Sequence, residues 1–169
     1  MLRTSGPFLR SELDNRLQKM TRNRSATYQR VWFIAGSSAG VGRALTDAVL
    51  AKGERAVVTA RTPERLRDLI ERYPAQALVL ELDVTRPDQV RQAVCDAIDR
   101  FGRIDVLVNN EGFSAVLVEE LSPFGKVITI EADRFNGHRP DDPTVLADAI
   151  IAAVERNATD IRIATKNGR

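Results

Sequence analysis

Residues 31–42 constrain the fold more than any other stretch. They read Val-Trp-Phe-Ile-Ala-Gly-Ser-Ser-Ala-Gly-Val-Gly. An apolar run of strand length ends in three glycines spaced G-x-x-x-G-x-G, and a helical pattern begins at once. Backbone at such a junction can approach a phosphate closely. The first N–H groups of the helix lack intrahelical partners and carry partial positive charge, so the junction suits the pyrophosphate of a dinucleotide. Gly36 would make the tight turn, Gly40 would admit the backbone to the pyrophosphate, and Gly42 would pack helix on strand. Ser37, Ser38 and Val41 lie between them and belong to the same candidate site. The plain alternative is a glycine-rich strand–helix turn that binds nothing.

The rest of the chain repeats the alternation. After the strand at 31–36 comes a helix over 40–52, spaced by Val41, Leu45, Ala48 and Val49 and stopped by Gly53. A β-branched run predicts a strand at 55–60. Thr62-Pro63-Glu64 starts a helix to about Arg72, with Pro63 in the first turn. A third strand follows at 77–82, then the longest helix at 85–101, whose inner face is Val90, Ala93, Val94, Ala97 and Ile98. A fourth strand is expected at 104–108, a short helix at 114–121 and a fifth strand at 126–130. Asp142-Pro143-Thr144 opens a helix through Glu155, and 161–164 is a candidate short outer strand. Continuous apolar strands with helices between them predict an α/β fold: a doubly wound, mostly parallel sheet covered on both faces. Right-handed crossovers give the order 3-2-1-4-5.

Charge separates this domain, placed at 31–165, from what precedes it. Residues 1–30 hold seven Lys/Arg against two Asp/Glu, a net +5, which leaves the remainder at −3 within a total of +2. The leader reads as a disordered extension or as an over-long start, with Met20 about ten residues before the first strand. Glu12 and Asp14 argue against an organelle transit segment. No basic stripe with interleaved aromatics points to nucleic acid, and no apolar run reaches the roughly 18 residues of a membrane span. The one cysteine, Cys95, excludes an internal disulfide and fits a reducing, cytoplasmic setting.

Arg61 follows the second strand, where an acidic residue would hydrogen-bond the ribose of NAD. No Asp or Glu lies between Val57 and Pro63. A guanidinium there can grip a 2′-phosphate through its planar fork, which favours NADP over NAD. The alternative is a solvated surface arginine.

Residues 31–112 resemble the N-terminal half of the short-chain dehydrogenase/reductase family, with its NAD(P)-binding Rossmann fold. Residues 35–42 are similar to the family's T-G-x-x-x-G-x-G, with Ala35 in place of Thr. Leu82-Asp83-Val84 is similar to the segment that contacts the adenine. Residues 104–112, ending Asn109-Asn110-Glu111-Gly112, resemble the strand leading into the N-N-A-G motif. The resemblance implies an NADP(H)-binding protein of the oxidoreductase class, and it places Asp83, Val84, Asn109, Asn110 and Gly112 at the cofactor. Two departures matter. Ala35 loses a hydroxyl that could tie the glycine turn to its neighbours. Glu111 adds a carboxylate at the cofactor's edge, which at about 8 Å from a phosphate costs roughly 0.5 kcal/mol in water and roughly 2 at an effective dielectric near 20.

Beyond Gly112 the resemblance breaks. The family continues with a helix carrying an Asn, a strand ending in the catalytic Ser and a helix bearing Tyr-x-x-x-Lys. Here residues 113–127 pass almost directly into what looks like the helix and strand that follow the catalytic Lys. The only tyrosines are Tyr28 and Tyr73, and four residues after them stand Trp32 and Ala77. A tyrosine acid needs a nearby cation to bring its pKa of about 10 within reach, and this chain carries no such pair. His138 is the only histidine, too isolated for a metal site. Asp141-Asp142 reads as a helix cap. No catalytic residue and no metal ligand is therefore assigned. Three functions stay open: a shortened NADP(H)-binding relative without the family's catalytic groups, a working oxidoreductase with substitutes such as Glu131 or Asp133, and a non-catalytic interaction module from an internally deleted gene. The helices of the family's main dimer surface are largely missing, so its oligomeric state does not carry over.

Overall fold

The computed structural model describes residues 29–110, 115–121, 126–129 and 142–156. Its strands are β1 (Val31–Ala35), β2 (Arg55–Ala60), β3 (Ala77–Glu81), β4 (Val106–Asn109) and β5 (Lys126–Thr129). Its helices are α1 (Gly40–Ala51), α2 (Arg67–Arg72, entered through a 3₁₀ turn at Pro63–Leu66), α3 (Pro87–Phe101), α4 (Ala115–Leu121) and α5 (Pro143–Glu155). All four strand pairs are parallel, and the sheet runs β3-β2-β1-β4-β5. The order expected from the alternation is the order observed. The candidate outer strand at 161–164 and the leader at 1–28 lie outside the described residues.

Alternate residues of β1 explain why it is apolar throughout. Trp32 and Ile34 face a core built with α1, α2 and α5. Val31, Phe33 and Ala35 face a second core built with α3 and α4. A central parallel strand buried on both faces has no position for a polar side chain. The chain crosses from β4 to β5 through α4, a helix of only seven residues. It stays on the sheet because Leu117 and Leu121, four apart and so on one helical face, are both fully buried in the second core. Each such leucine contributes about 1.5–3 kcal/mol of burial. Arg91 of α3 braces α4 through Glu120 at 3.0 Å.

Several boundaries shift by a residue or two from the expected ones, and three of the shifts have a local reason. β4 starts at Val106 rather than 104 because Asp105 replaces the ladder there: its N–H donates to the Val31 carbonyl and its carboxylate accepts from the Val31 N–H, both at 2.8 Å. The segment after β2 begins as a 3₁₀ turn, with Pro63 in its first turn. α3 starts at Pro87 rather than 85 because Thr85 is held in a turn by the Asp83 carboxylate. At α5 the expected cap is present, with Asp142 accepting from the Thr144 N–H at 2.8 Å. Asp141 lies outside the described residues. Among the described residues no helix is long and apolar enough to cross a membrane, and no group of three potential ligands could hold a metal.

Candidate functional site

The glycine segment sits at the C-terminal end of β1, between β2 on one side and β4 on the other. The connection from β1 goes one way and that from β4 the other, which makes this the switch point where ligands of open α/β sheets collect. Gly36 has φ +80° and Gly40 φ +57°, the left-handed region that side chains avoid. A Cβ on Gly40 would meet nothing within 4 Å, so the backbone there faces open space. Gly42 is the opposite case. A Cβ there would lie 2.0 Å from the Gly36 carbonyl oxygen and 2.8 Å from Asn110 Nδ2. The first turn of α1 thus rests directly on the turn at Gly36.

Two side chains, Asn110 and Ser37, and the backbone of β2 lock that turn. Asn110 Nδ2 donates to the Gly36 carbonyl at 3.1 Å. Ser37 is fully buried; its N–H donates to the Thr59 carbonyl at 2.9 Å and its hydroxyl to the Ile34 carbonyl at 3.0 Å. Both Ser37 donors are therefore spent on the scaffold. Ser38 is half-buried, Ala39 and Gly40 are exposed, and Val41 is half-buried. The N-cap of α1 is Ala39 in extended conformation, with no side-chain cap and no acidic residue in the first turn. The free N–H groups and partial positive charge of such a helix N-terminus can hold an anion.

Asn109 is the other unusual residue. It ends β4 in register with Ala35 of β1 and Thr129 of β5 and is 0% exposed, and among the described residues neither its Nδ2 nor its Oδ1 has a hydrogen-bond partner. An orphaned buried amide is costly. Ala35, the neighbour in register, is the position at which the hydroxyl of the family motif is missing.

A second group of expected site residues lies at the exits of β2 and β3. The Leu82 N–H donates to the Ala60 carbonyl at 3.0 Å, which carries the two exits side by side and brings Asp83 beside Arg61. Arg61 is exposed. Asp83 Oδ1 accepts from the Thr85 N–H at 2.9 Å and the Thr85 hydroxyl at 2.6 Å, while the Asp83 N–H donates to Gln89 Oε1 at 2.8 Å. The Thr85 hydrogen bonds hold the Asp83 carboxyl below the usual aspartate range, and the charges of Arg61 and Arg86 lower it further. Val84 is half-buried against the second core.

Neither Arg43 nor Asp68 was singled out in the sequence, yet they brace this side. Arg43, in the first turn of α1, donates from Nε to Asp47 Oδ2 at 2.9 Å and through both terminal nitrogens to the Asp68 carboxylate on α2. Arg72 closes the group onto Asp47 at 3.1 Å. Arg43 holds the Asp68 carboxyl below its ordinary value, with Arg72 adding to the effect. The spacing of Arg43 and Asp47 was readable as a helical pair. Asp68 was not, because only the fold brings α2 to α1.

Of the expected site residues, Gly36, Ser37, Ser38, Gly40, Val41, Gly42, Asn109 and Asn110 converge at the switch point, and Arg61, Asp83 and Val84 flank it along the sheet edge. Gly112, the neighbouring Glu111, and the substitute candidates Glu131 and Asp133 lie outside the described residues.

Comparison with known proteins agrees with this geometry. The family described as short chain dehydrogenase matches residues 30–132. "Oxidoreductase BOA17" of Botryotinia fuckeliana (strain B05.10) is 39% identical over 106 residues, which are 62% of this chain and 39% of that protein. "Oxidoreductase calM" of Penicillium decumbens is 45% identical over 87 residues, 49% of this chain and 28% of that one. This chain thus spans well under half the length of these relatives. A solved short-chain dehydrogenase from Streptomyces avermitilis superposes with a TM-score of 0.59 at 31% identity, covering 77% of this chain and 58% of the other.

Proposed function

This chain belongs to the short-chain dehydrogenase family, and on that premise we propose that it binds NADP(H) at the glycine turn without carrying out the family's carbonyl chemistry. Short-chain dehydrogenases bind nicotinamide dinucleotides, and the residues present fit that group. The observation that carries the reading is the uncapped N-terminus of α1, set against an open Gly40 and locked in place by Gly36, Gly42 and Asn110. Gly40 and the α1 N–H groups would hold the pyrophosphate. Ser37 keeps the turn rigid from beneath, and Ser38 and Val41 border it. Asp83, Val84 and Arg61 would hold the adenosine end, with Arg61 on the 2′-phosphate. Asn109, Asn110 and Gly112 would border the far end. The bound cofactor supplies a hydride.

The means to use that hydride on a carbonyl is what this sequence lacks. No tyrosine stands four residues before a lysine, and the segment between β4 and β5 that would bear the pair is replaced by the short α4 crossover. General acid–base groups contribute about 10²–10⁴-fold. The single buried Cys95 supports a reducing, cytoplasmic setting.

Calorimetric titration of NADP⁺ and NAD⁺ tests the binding half. Charge-assisted hydrogen bonds worth about 1.5–3 kcal/mol correspond to a preference for NADP⁺ of roughly 10- to 150-fold. Arg61→Ala should erase it while leaving weak binding of both. Equal affinities in the unmutated protein remove the role given to Arg61. No binding by folded protein favours an interaction module instead.

A further inference from the structure

We propose that Asp83 limits how strongly this chain favours a 2′-phosphorylated dinucleotide, by fixing a negative charge beside Arg61. The inference rests on the dinucleotide reading above and adds to it a second specificity-determining residue.

Two facts about Asp83 carry the argument. The first is its position. The exits of β2 and β3 are joined by the hydrogen bond from Leu82 to Ala60, so Asp83 and Arg61 leave the sheet as neighbours. Their charges interact, as the depressed Asp83 carboxyl records. The second is its rigidity. Oδ1 takes both Thr85 donors, the main-chain N–H is held by Gln89, and the Asp83 carbonyl accepts the Arg86 N–H at 3.0 Å. Among the described residues, no hydrogen bond occupies Oδ2. A carboxylate pinned this way does not swing aside when an anion arrives.

A phosphate held by Arg61 therefore gains from the guanidinium and loses to the Asp83 carboxylate. Two unit charges about 8 Å apart change an affinity about 2-fold in bulk water and about 30-fold at an effective dielectric near 20. Both cofactors carry the same charged pyrophosphate, so the difference in penalty falls on the 2′-phosphate, where the unphosphorylated form has an uncharged ribose hydroxyl. Removing the charge should sharpen the preference for the phosphorylated form rather than weaken it.

The experiment titrates adenosine 2′,5′-bisphosphate and adenosine 5′-monophosphate into the full chain and into Asp83→Asn, which keeps an acceptor for Thr85. The expected result is a 2- to 30-fold rise in the ratio of bisphosphate to monophosphate affinity, with any loss of an adenine contact common to both probes, and the same rise in the NADP⁺-to-NAD⁺ ratio. Asp83→Ser makes the same charge change if the asparagine variant does not fold. Equal weakening of both probes, with their ratio unchanged, would overturn the inference and leave Asp83 with an adenine contact alone. Failure of folded, unmutated protein to bind either probe would instead overturn the dinucleotide reading, and this inference with it.

Discussion

Gly40 and Gly42 stand two residues apart, yet a methyl group would cost very different amounts at each. At Gly42 it meets the Gly36 carbonyl at 2.0 Å, and backbone cannot step aside. Gly42→Ala is expected to lose about 3 kcal/mol or more, the upper end of overpacking costs, read from the urea midpoint. At Gly40 the space is open and only the left-handed backbone objects. Gly40→Ala should cost about 1–2 kcal/mol, while its methyl stands where the pyrophosphate is proposed to lie. Dinucleotide binding should fall far more than stability, and calorimetry on the folded variant checks it. Asn109→Leu runs the other way. It removes two buried polar atoms that are unpaired among the described residues, so stability should rise by about 1 kcal/mol with an unchanged denaturant slope. A fall would show that the amide is paired in solution. The glycines and their order were legible because each acts through its own backbone. The burial of Ser37 and the isolation of Asn109 were not, because strands and helices far along the chain create them.

At the scale of elements, α4 is the weak joint of the sheet. Seven residues hold β5 in place through two buried leucines and one ion pair. Leu117→Ala and Leu121→Ala should each cost about 2–5 kcal/mol. β5 is an edge strand bonded only to β4 among the described strands, so hydrogen exchange should quicken there before it does in β1 or β2. The Arg43–Asp68 contact between α1 and α2 makes a smaller and pH-dependent contribution. The Asp68 carboxyl titrates below its ordinary value of 3.8 when folded. Its stabilisation is therefore present above that value and disappears as pH falls through the lowered one. Asp68 is 44% exposed, and such pairs contribute about 0.2–1 kcal/mol. Asp68→Asn should lose no more than that at pH 7 and nothing in strong acid, as paired urea melts would show. Elements were legible wherever apolar spacing ran long enough to separate strand from helix. Their ends were not, because Asp105 and Thr85 set them through contacts that spacing does not encode.

At the scale of the whole sheet, strand order, switch point and glycine turn are those of the family, and the short α4 stands between β4 and β5, where the proposed loss of the family's acid would fall. Purified protein is expected to show no reduction of ketones or aldehydes with NADPH above a denatured control; steady turnover lost on Asp133→Asn would reinstate the substitute-group reading. The fold was legible as a whole because four parallel crossovers admit few arrangements. One feature of that fold also bears on how the protein is made. The last described helix, α5, covers the same face as α1: Ala147, Ile150, Ile151 and Val154 complete that core, and Lys52 meets Glu155 at 3.0 Å. During synthesis α1 leaves the ribosome long before its cover exists. At ordinary elongation rates the wait is on the order of 5–20 s. Throughout it, the apolar surface of α1, α2 and the inner strands stays open to water and to other nascent chains. A cell making this protein must shield that face until α5 arrives.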